Sequence, residues 1–518
     1  MSSAHAHSQD DREEREDTGQ EDREQSCKEE RDDCRGHGRK CTLCRMKRTK
    51  LLYILASVLS GGLLVLLFLV FTQTSFLDRV HAIFGRGTEE VLPLNDLEQG
   101  NGGVSIPSER LTQEGDSAFS TGNLTDAMRF YEQALETGAD IPVIRKVFQV
   151  ALLLRDTEKA EVMLGLLSFR GVGEETLDAL RGLLFLREDD RTKAAELFAK
   201  YPESPDHAYG RVLLAILEKK HEEAEAALLI MQRSSDPLLV HAAQTIQGAY
   251  DEFALFEDGR ETHRLTLLTR ALAQVNQCPV AETLLHSVLQ EEPDYRDAWI
   301  ILGYCKLVLQ DFAGSLTAFE EAYKLDPEKA ETQYFLGLAH ERLGNAPQAK
   351  TFFTYALENG FEPSKAVREK LAELSKAEGA YADAAAQYRA ILAIEQTPES
   401  YHALVTLLIE KLDQVDEAFT LAREARDALG DLPLILDLLG WTELLKGDIN
   451  QAAAFLTVAV EQDPTLASAW YHKGLLAEKA GDTDEALRSY REAYTLSLGN
   501  DIELVKTAAE RHNALVKQ

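Results

Sequence analysis

Residues 298–327 read AWIILGYCKLVLQDFAGSLTAFEEAYKLDP. Apolar residues recur in this stretch at the spacing of a helix face, and it closes on Leu-Asp-Pro. The same layout returns at 330–360, AETQYFLGLAHERLGNAPQAKTFFTYALENG, and at 467–496, ASAWYHKGLLAEKAGDTDEALRSYREAYTL. From residue 108 onward the pattern is helical throughout, and short breaks such as LDP or GD interrupt it. Self-similarity at a fixed period predicts an all-α solenoid of helical hairpins.

The three stretches share a 34-residue frame. The unit from Arg296 places Trp299, Leu302, Gly303, Ser315, Phe319, Ala322 and Pro327 at positions 4, 7, 8, 20, 24, 27 and 32. The unit from Ala330 supplies Leu336, Gly337, Ala349, Phe353 and Ala356; that from Pro433 supplies Leu439, Gly440, Ala452, Ala459 and Pro464. The last, from Ala467, has Trp470, Gly474, Ala486, Tyr490 and Ala493, and the first, from Ser108, has Gly115, Ala127, Tyr131 and Ala134. This pattern resembles the tetratricopeptide repeat family. The resemblance implies two antiparallel helices per unit, with small residues at 8 and 20 facing each other and large ones at 4 and 24 filling the space between units. Weaker units near 141, 175, 205, 262, 365 and 399 keep the small residue at 20 (Ala160, Ala194, Ala224, Ala281, Ala384, Ala418), which makes eleven candidate units. Residues 238–261 do not fit the frame. They are expected to form an irregular helical insert between an N-terminal arm, 108–237, and a C-terminal arm, 262–500. Residues 501–518 read as an amphipathic capping helix with Ile502, Val505, Ala508 and Leu515 inward.

Upstream of the repeats the chain changes character. Residues 1–33 carry 13 acidic and 5 basic residues and almost no large apolar ones, which predicts a disordered acidic tail. Residues 34–50 are basic and cysteine-rich, with no acidic residue. Residues 51–71, LLYILASVLSGGLLVLLFLVF, form a run of 21 without a charge. A helix of that length reaches roughly 30 Å, the hydrocarbon thickness of a bilayer. A cleaved signal peptide would be shorter, nearer the N-terminus and followed by a small-residue cleavage site, so we expect a retained single transmembrane helix. The basic flank on its N-terminal side places residues 1–50 in the cytoplasm and the repeats on the extracytoplasmic side. Residues 72–107 read as a linker.

Across all 518 residues, 45% are apolar and 27% charged, so the bulk of the chain can bury a sizeable core. The net charge of −32 lies almost wholly beyond residue 50 and argues against nucleic acid as a partner. Six cysteines exclude a disulfide scaffold. Four of them, with one histidine, read C-x6-C-x2-H-x3-C-x2-C. Cys34, His37, Cys41 and Cys44 could hold zinc; acylation beside the basic run and free thiols are the alternatives. No other cofactor is expected. Cys278 and Cys305 read as core residues, and His207, His221, His286, His340, His402 and His472 as surface or groove side chains. Asn123-Leu124-Thr125 is a glycosylation sequon. There is no P-loop, H-E-x-x-H or G-x-S-x-G, and no stretch outside the repeats is long enough for a catalytic domain, so no enzyme is expected.

The family resemblance implies a concave groove lined by positions such as 5 and 9 of each unit, where other proteins bind. Those positions are Ile300 and Tyr304, Tyr334 and Leu338, Asp437 and Trp441, and Tyr471 and Leu475. They lack the Lys/Asn clamp that one subset of the family uses for chain-terminal carboxylates. The expected partner is an apolar or basic protein segment, drawn to an aromatic and aliphatic stripe flanked by Glu331, Glu341 and Glu478. The alternative for these aromatics is packing against the adjacent unit. At the level of function, the chain reads as an anchored scaffold for assembly of an envelope or secretory complex. The alternative is a transmembrane adaptor with the cysteine-rich segment as its cytoplasmic head.

Overall fold

The computed structural model describes residues 107–138, 140–256, 259–498 and 501–517. The tail, the cysteine-rich segment, the apolar run 51–71 and nearly all of the linker lie outside the described residues, as do Cys34, His37, Cys41 and Cys44. All the described helices belong to one unit, Thr88–Gln518.

The described residues form twenty-four helices and no strand. Eleven hairpins account for twenty-two of them. In the first four, α1 (Ser108–Ser120) pairs with α2 (Leu124–Glu136), α3 (Ile141–Leu153) with α4 (Thr157–Phe169), α5 (Glu174–Arg187) with α6 (Arg191–Ala199), and α7 (Pro205–Leu217) with α8 (His221–Met231). A single helix, α9 (Pro237–Phe253), follows. The hairpins resume with α10 (Glu261–Gln274) and α11 (Cys278–Glu291), α12 (Arg296–Val308) and α13 (Phe312–Leu325), α14 (Ala330–Arg342) and α15 (Ala346–Glu358), and α16 (Ser364–Ala377) and α17 (Tyr381–Ile394). The last are α18 (Pro398–Glu410) with α19 (Val415–Leu429), α20 (Pro433–Lys446) with α21 (Ile449–Gln462), and α22 (Ala467–Ala480) with α23 (Thr483–Ser497); α24 (Ile502–Val516) packs on α23. Every hairpin starts within one residue of the start its spacing predicts.

Each hairpin closes through a left-handed residue directly before the second helix's cap. Gly481 (φ 78°) precedes Asp482, whose carboxylate accepts the backbone N–H of Glu485 at 3.1 Å. Gly447 and Asp448 repeat this, and the next position on is the first of the second helix. The GD breaks in the sequence are thus a backbone requirement followed by a cap.

Within a hairpin the position-8 glycine lies under the ring at position 24. A Cβ on Gly303, Gly337 or Gly474 would stand 2.5–2.6 Å from Phe319, Phe353 or Tyr490. Position 8 also meets position 20: the Ser315 hydroxyl donates to the Gly303 carbonyl at 2.8 Å. Phe198 serves two glycines, Gly182 and Gly210, on successive first helices. Between hairpins, position 4 has a polar role besides filling space. The side-chain N–H groups of Trp299, Gln333 and Trp470 donate to the carbonyls of Pro293, Pro327 and Pro464, position 32 of the preceding unit, at 2.7, 2.7 and 2.9 Å. These bonds join consecutive hairpins through the N–H that Trp must satisfy when it packs.

One buried cluster runs from Ala208 on α7 through α9 to Ala318 on α13, so α9 bridges the hairpins on either side. Cys278 and Cys305 are fully buried in it, and burial pushes the Cys305 thiol up, with the Cys278 sulfur adding to the effect. The N-terminal hairpins also reach distant ones: Thr125 bonds Gln310 at 3.1 Å, Arg155 pairs with Glu282 at 3.5 Å, and Arg110 donates to the Leu496 carbonyl. On α24, Val505 and Ala508 are buried and Leu515 packs on Ala477, Ala486 and Tyr490.

Candidate protein-binding groove

The first helices of successive hairpins touch one another along the C-terminal half: α12 meets α14, α18 meets α20, and α20 meets α22. Positions 5 and 9 lie on these helices, and the structure gathers the seven predicted groove residues into two separate clusters. In one, Ile300 and Tyr304 lie against Phe319, Leu336 and Ala339, and Tyr304 meets Phe335 edge-on at 5.9 Å. Tyr334 stacks on Phe361 at 4.3 Å, and Leu338 lies beside Phe353 and Leu371. In the other, Trp441 is 7% exposed and stacks on His472 at 4.3 Å, while Tyr471 tilts against Tyr490 at 5.7 Å and Leu475 joins the same group. Six of the seven are half-buried; only Trp441 is buried. Each packs within or across a hairpin boundary, and all but Trp441 keep part of their surface free. Burial raises the hydroxyl pKa of Tyr304, Tyr334 and Tyr471; the Arg511 guanidinium opposes it at Tyr471.

The acidic neighbours are largely paired. Glu341 meets Lys370 at 3.4 Å, Glu331 meets Lys329 at 3.0 Å, and Glu478 accepts from Tyr490 at 2.7 Å and Arg511 at 3.3 Å. A basic segment would have to compete with these cations.

A polar ladder runs across three first helices beside the second cluster: His402 on α18, Asp437 on α20 and His472 on α22. Asp437 is fully buried, and its Oδ1 accepts the Nδ1–H of His472 at 2.7 Å. A carboxylate can only accept, so this bond fixes the proton on Nδ1. Asp437 Oδ2 is buried without a partner. Burial depresses the His402 pKa; Asp437 opposes that and His472 adds to it. The reading of the histidines as surface or groove residues is corrected for two of the six. His207 (0% exposed) and His472 (4%) belong to the core. The available signal was the placing of Asp437 and His472 one unit and one residue apart, at positions 5 and 6 of consecutive first helices, where burial leaves two polar groups only each other. Among the described residues no three metal-ligating side chains converge, and no helix is long and apolar enough to cross a membrane.

The sequence profile of the tetratricopeptide repeat family matches residues 266–330, 306–360 and 438–501. No curated protein matches the chain. Among solved structures the chain is similar to a tetratricopeptide repeat protein from Parabacteroides merdae, 14% identical over 49% of this chain and 99% of that one, with a TM-score of 0.36. It is also similar to the APC/C hetero-tetramer Cut9–Hcn1, 14% identical over 83% and 99%, TM-score 0.33. A third is YrrB, a tetratricopeptide repeat protein with an unusual peptide-binding site, 17% identical over 43% and 97%, TM-score 0.23.

Proposed function

Because the chain belongs to the tetratricopeptide repeat family, we propose that it is a non-catalytic, membrane-anchored scaffold that binds segments of other proteins during assembly of an envelope or secretory complex. Residues 51–71 anchor it as a single pass, residues 1–50 face the cytoplasm, and the solenoid stands on the other side. The observation that carries the binding role is the pair of half-buried aromatic clusters around Tyr304 and Tyr471 on first helices. Large amphipathic rings that keep part of their surface free are the residues that dominate binding energy when a partner covers them. The ligand is an apolar segment, with basic residues as a second preference.

In-cell crosslinking of the full-length chain, mapped by residue, tests this. Crosslinks from residues 296–500 to envelope proteins are expected, and their loss in Tyr304→Ala and Tyr471→Ala variants that stay folded. If both variants lose stability but bind normally per folded molecule, the aromatics are packing residues alone and the groove reading fails.

The cysteine and histidine spacing at Cys34, His37, Cys41 and Cys44 favours a second reading, a transmembrane adaptor with a zinc-holding cytoplasmic head. Zinc retained by the full-length protein and lost in Cys41→Ser/Cys44→Ser supports it; crosslinks confined to the solenoid count against it.

A further inference from the structure

A cavity of about 580 Å³ opens between the inner ends of α3, α5 and α7 and the start of α11. Its floor is apolar: Leu183, Leu186, Leu217 and Val280 line it. Three arginines line it as well, Arg155, Arg191 and Arg187, the last residue of α5. The Arg187 Nε donates to the Leu152 carbonyl at 2.8 Å, while its Nη2 is buried and has no hydrogen-bond partner. Burial, and then repulsion from Arg155, push its pKa down to about 10, against the opposing attraction of Glu282.

Two of the three carboxylates around the cavity are already engaged. Glu282 is shared by Lys306 at 3.1 Å, Arg155 at 3.5 Å and His286 at 3.8 Å. Asp189 is paired with Arg191 at 3.0 Å, and Glu188 lies at the cavity's rim. In a chain with 87 acidic residues against 55 basic ones, a buried guanidinium nitrogen with no hydrogen-bonded carboxylate is out of place; Glu282 acts on Arg187 only through space. A charge withdrawn from water needs a hydrogen-bonded opposite charge. We propose that this cavity binds a carboxylate carried on an apolar segment of a partner protein, with Arg187 holding the carboxylate and the leucine floor holding the apolar side chain beside it. A planar oxyanion matches the free edge of a guanidinium whose other side is fixed to the backbone. The volume lies within the range of pockets that enclose a few side chains.

The site is separate from the aromatic clusters, and its test does not depend on them. It rests on the scaffold reading only for the source of the carboxylate. The probes are N-acetyl-Leu-Leu with a free carboxylate, its amide, and N-acetyl-Leu-Glu-Leu amide, titrated calorimetrically into the full-length protein in detergent. The expected result is that at least one carboxylate probe binds about tenfold or more tightly than the amide, and that this ratio falls to near one in Arg187→Met and Arg187→Gln. Taking the ratio within each variant cancels any change in folded fraction. Preference for the first probe assigns a chain end, preference for the third an acidic side chain. Equal binding of all three, no binding at millimolar concentration, or a ratio unchanged in both variants overturns the proposal.

Discussion

In hairpin α14/α15, Gly337 leaves room on the first helix and Phe353, fully buried, fills it from the second. In α3/α4 the same two positions hold Phe148 and Leu164, also buried, so the large ring comes from the first helix. The small residue at position 20 is fully buried in both, Ala349 and Ala160. The large ring can thus be supplied from either helix, while position 20 stays small. A sequence frame that asks for glycine at 8 and an aromatic at 24 therefore sees one hairpin as strong and the other as weak, although both close.

The largest effects should come from emptying either version. Phe353→Ala and Phe148→Ala are each expected to cost about 3–5 kcal/mol, as for other buried rings. Because repeats contact mainly their neighbours, hydrogen exchange should locate the loss in the mutated hairpin and the next one along. The exchange of sides sharpens the comparison. Phe148→Gly combined with Leu164→Phe should recover a large part of what Phe148→Gly alone loses. If the double variant is no better than the single, the two hairpins are packed on different plans.

Legibility in the sequence follows the same division. The all-α solenoid and its helix starts are readable because period and breaks are properties of single positions: a left-handed residue, a capping Asp, a proline. The Trp299 and Trp470 bonds to preceding proline carbonyls lie hidden in that pattern, since a large residue at position 4 is explained equally well by packing. The seven predicted groove residues form two clusters because they come from two pairs of adjacent units, those from 296 and 330 and those from 433 and 467, with two further hairpins between them. The Asp437–His472 pair is legible only once the two positions are set side by side in consecutive units, and Arg187 escapes a reading of the sequence because it needs a cavity closed by hairpins far apart in sequence.

Smaller effects come from overfilling. Gly337→Ala should cost about 1–3 kcal/mol, because its Cβ would stand 2.6 Å from the Phe353 ring. In the unit that starts near 399, position 8 is Thr406, whose hydroxyl is buried without a partner. Thr406→Ala should be near neutral or stabilising, since it removes an unsatisfied group. Thermal unfolding followed by circular dichroism separates the signs.

Acidification probes the buried and half-buried histidines of both halves. Burial depresses the pKa of His207, His340 and His402 below the ordinary 6.5. The unfolded chain therefore takes up protons that the folded chain refuses as pH drops below about 6.5. Their contribution to stability is full above that value and is lost as pH falls toward the depressed values. The midpoint of unfolding should fall between about pH 7 and pH 5, and His402→Gln should flatten part of that slope. A variant with the full wild-type slope would show that protonation of His402 is accommodated in the fold.

The smallest effects concern the turn. Hairpins α14/α15, α20/α21 and α22/α23 place glycine in the left-handed position, at Gly344, Gly447 and Gly481. Hairpins α3/α4, α5/α6, α7/α8 and α10/α11 place Arg155, Asp189, Lys219 and Asn276 there, with φ between 58° and 61°. A side chain at such a φ crowds its own carbonyl, which costs roughly 1–2 kcal/mol, while glycine adds about 0.5–1 kcal/mol of unfolded-state freedom. Lys219→Gly should then stabilise by about 0.5–1 kcal/mol, and Gly481→Ala should destabilise by a similar amount. Lys219 suits this test because its ion pair, to Glu291 at 4.0 Å, is exposed and long, so little is lost with the side chain. Opposite signs at the two positions would establish that the hairpins share one turn and differ only in which residue tolerates it. Equal signs would mean that the polar residues at these turns are held by contacts that outweigh the backbone cost.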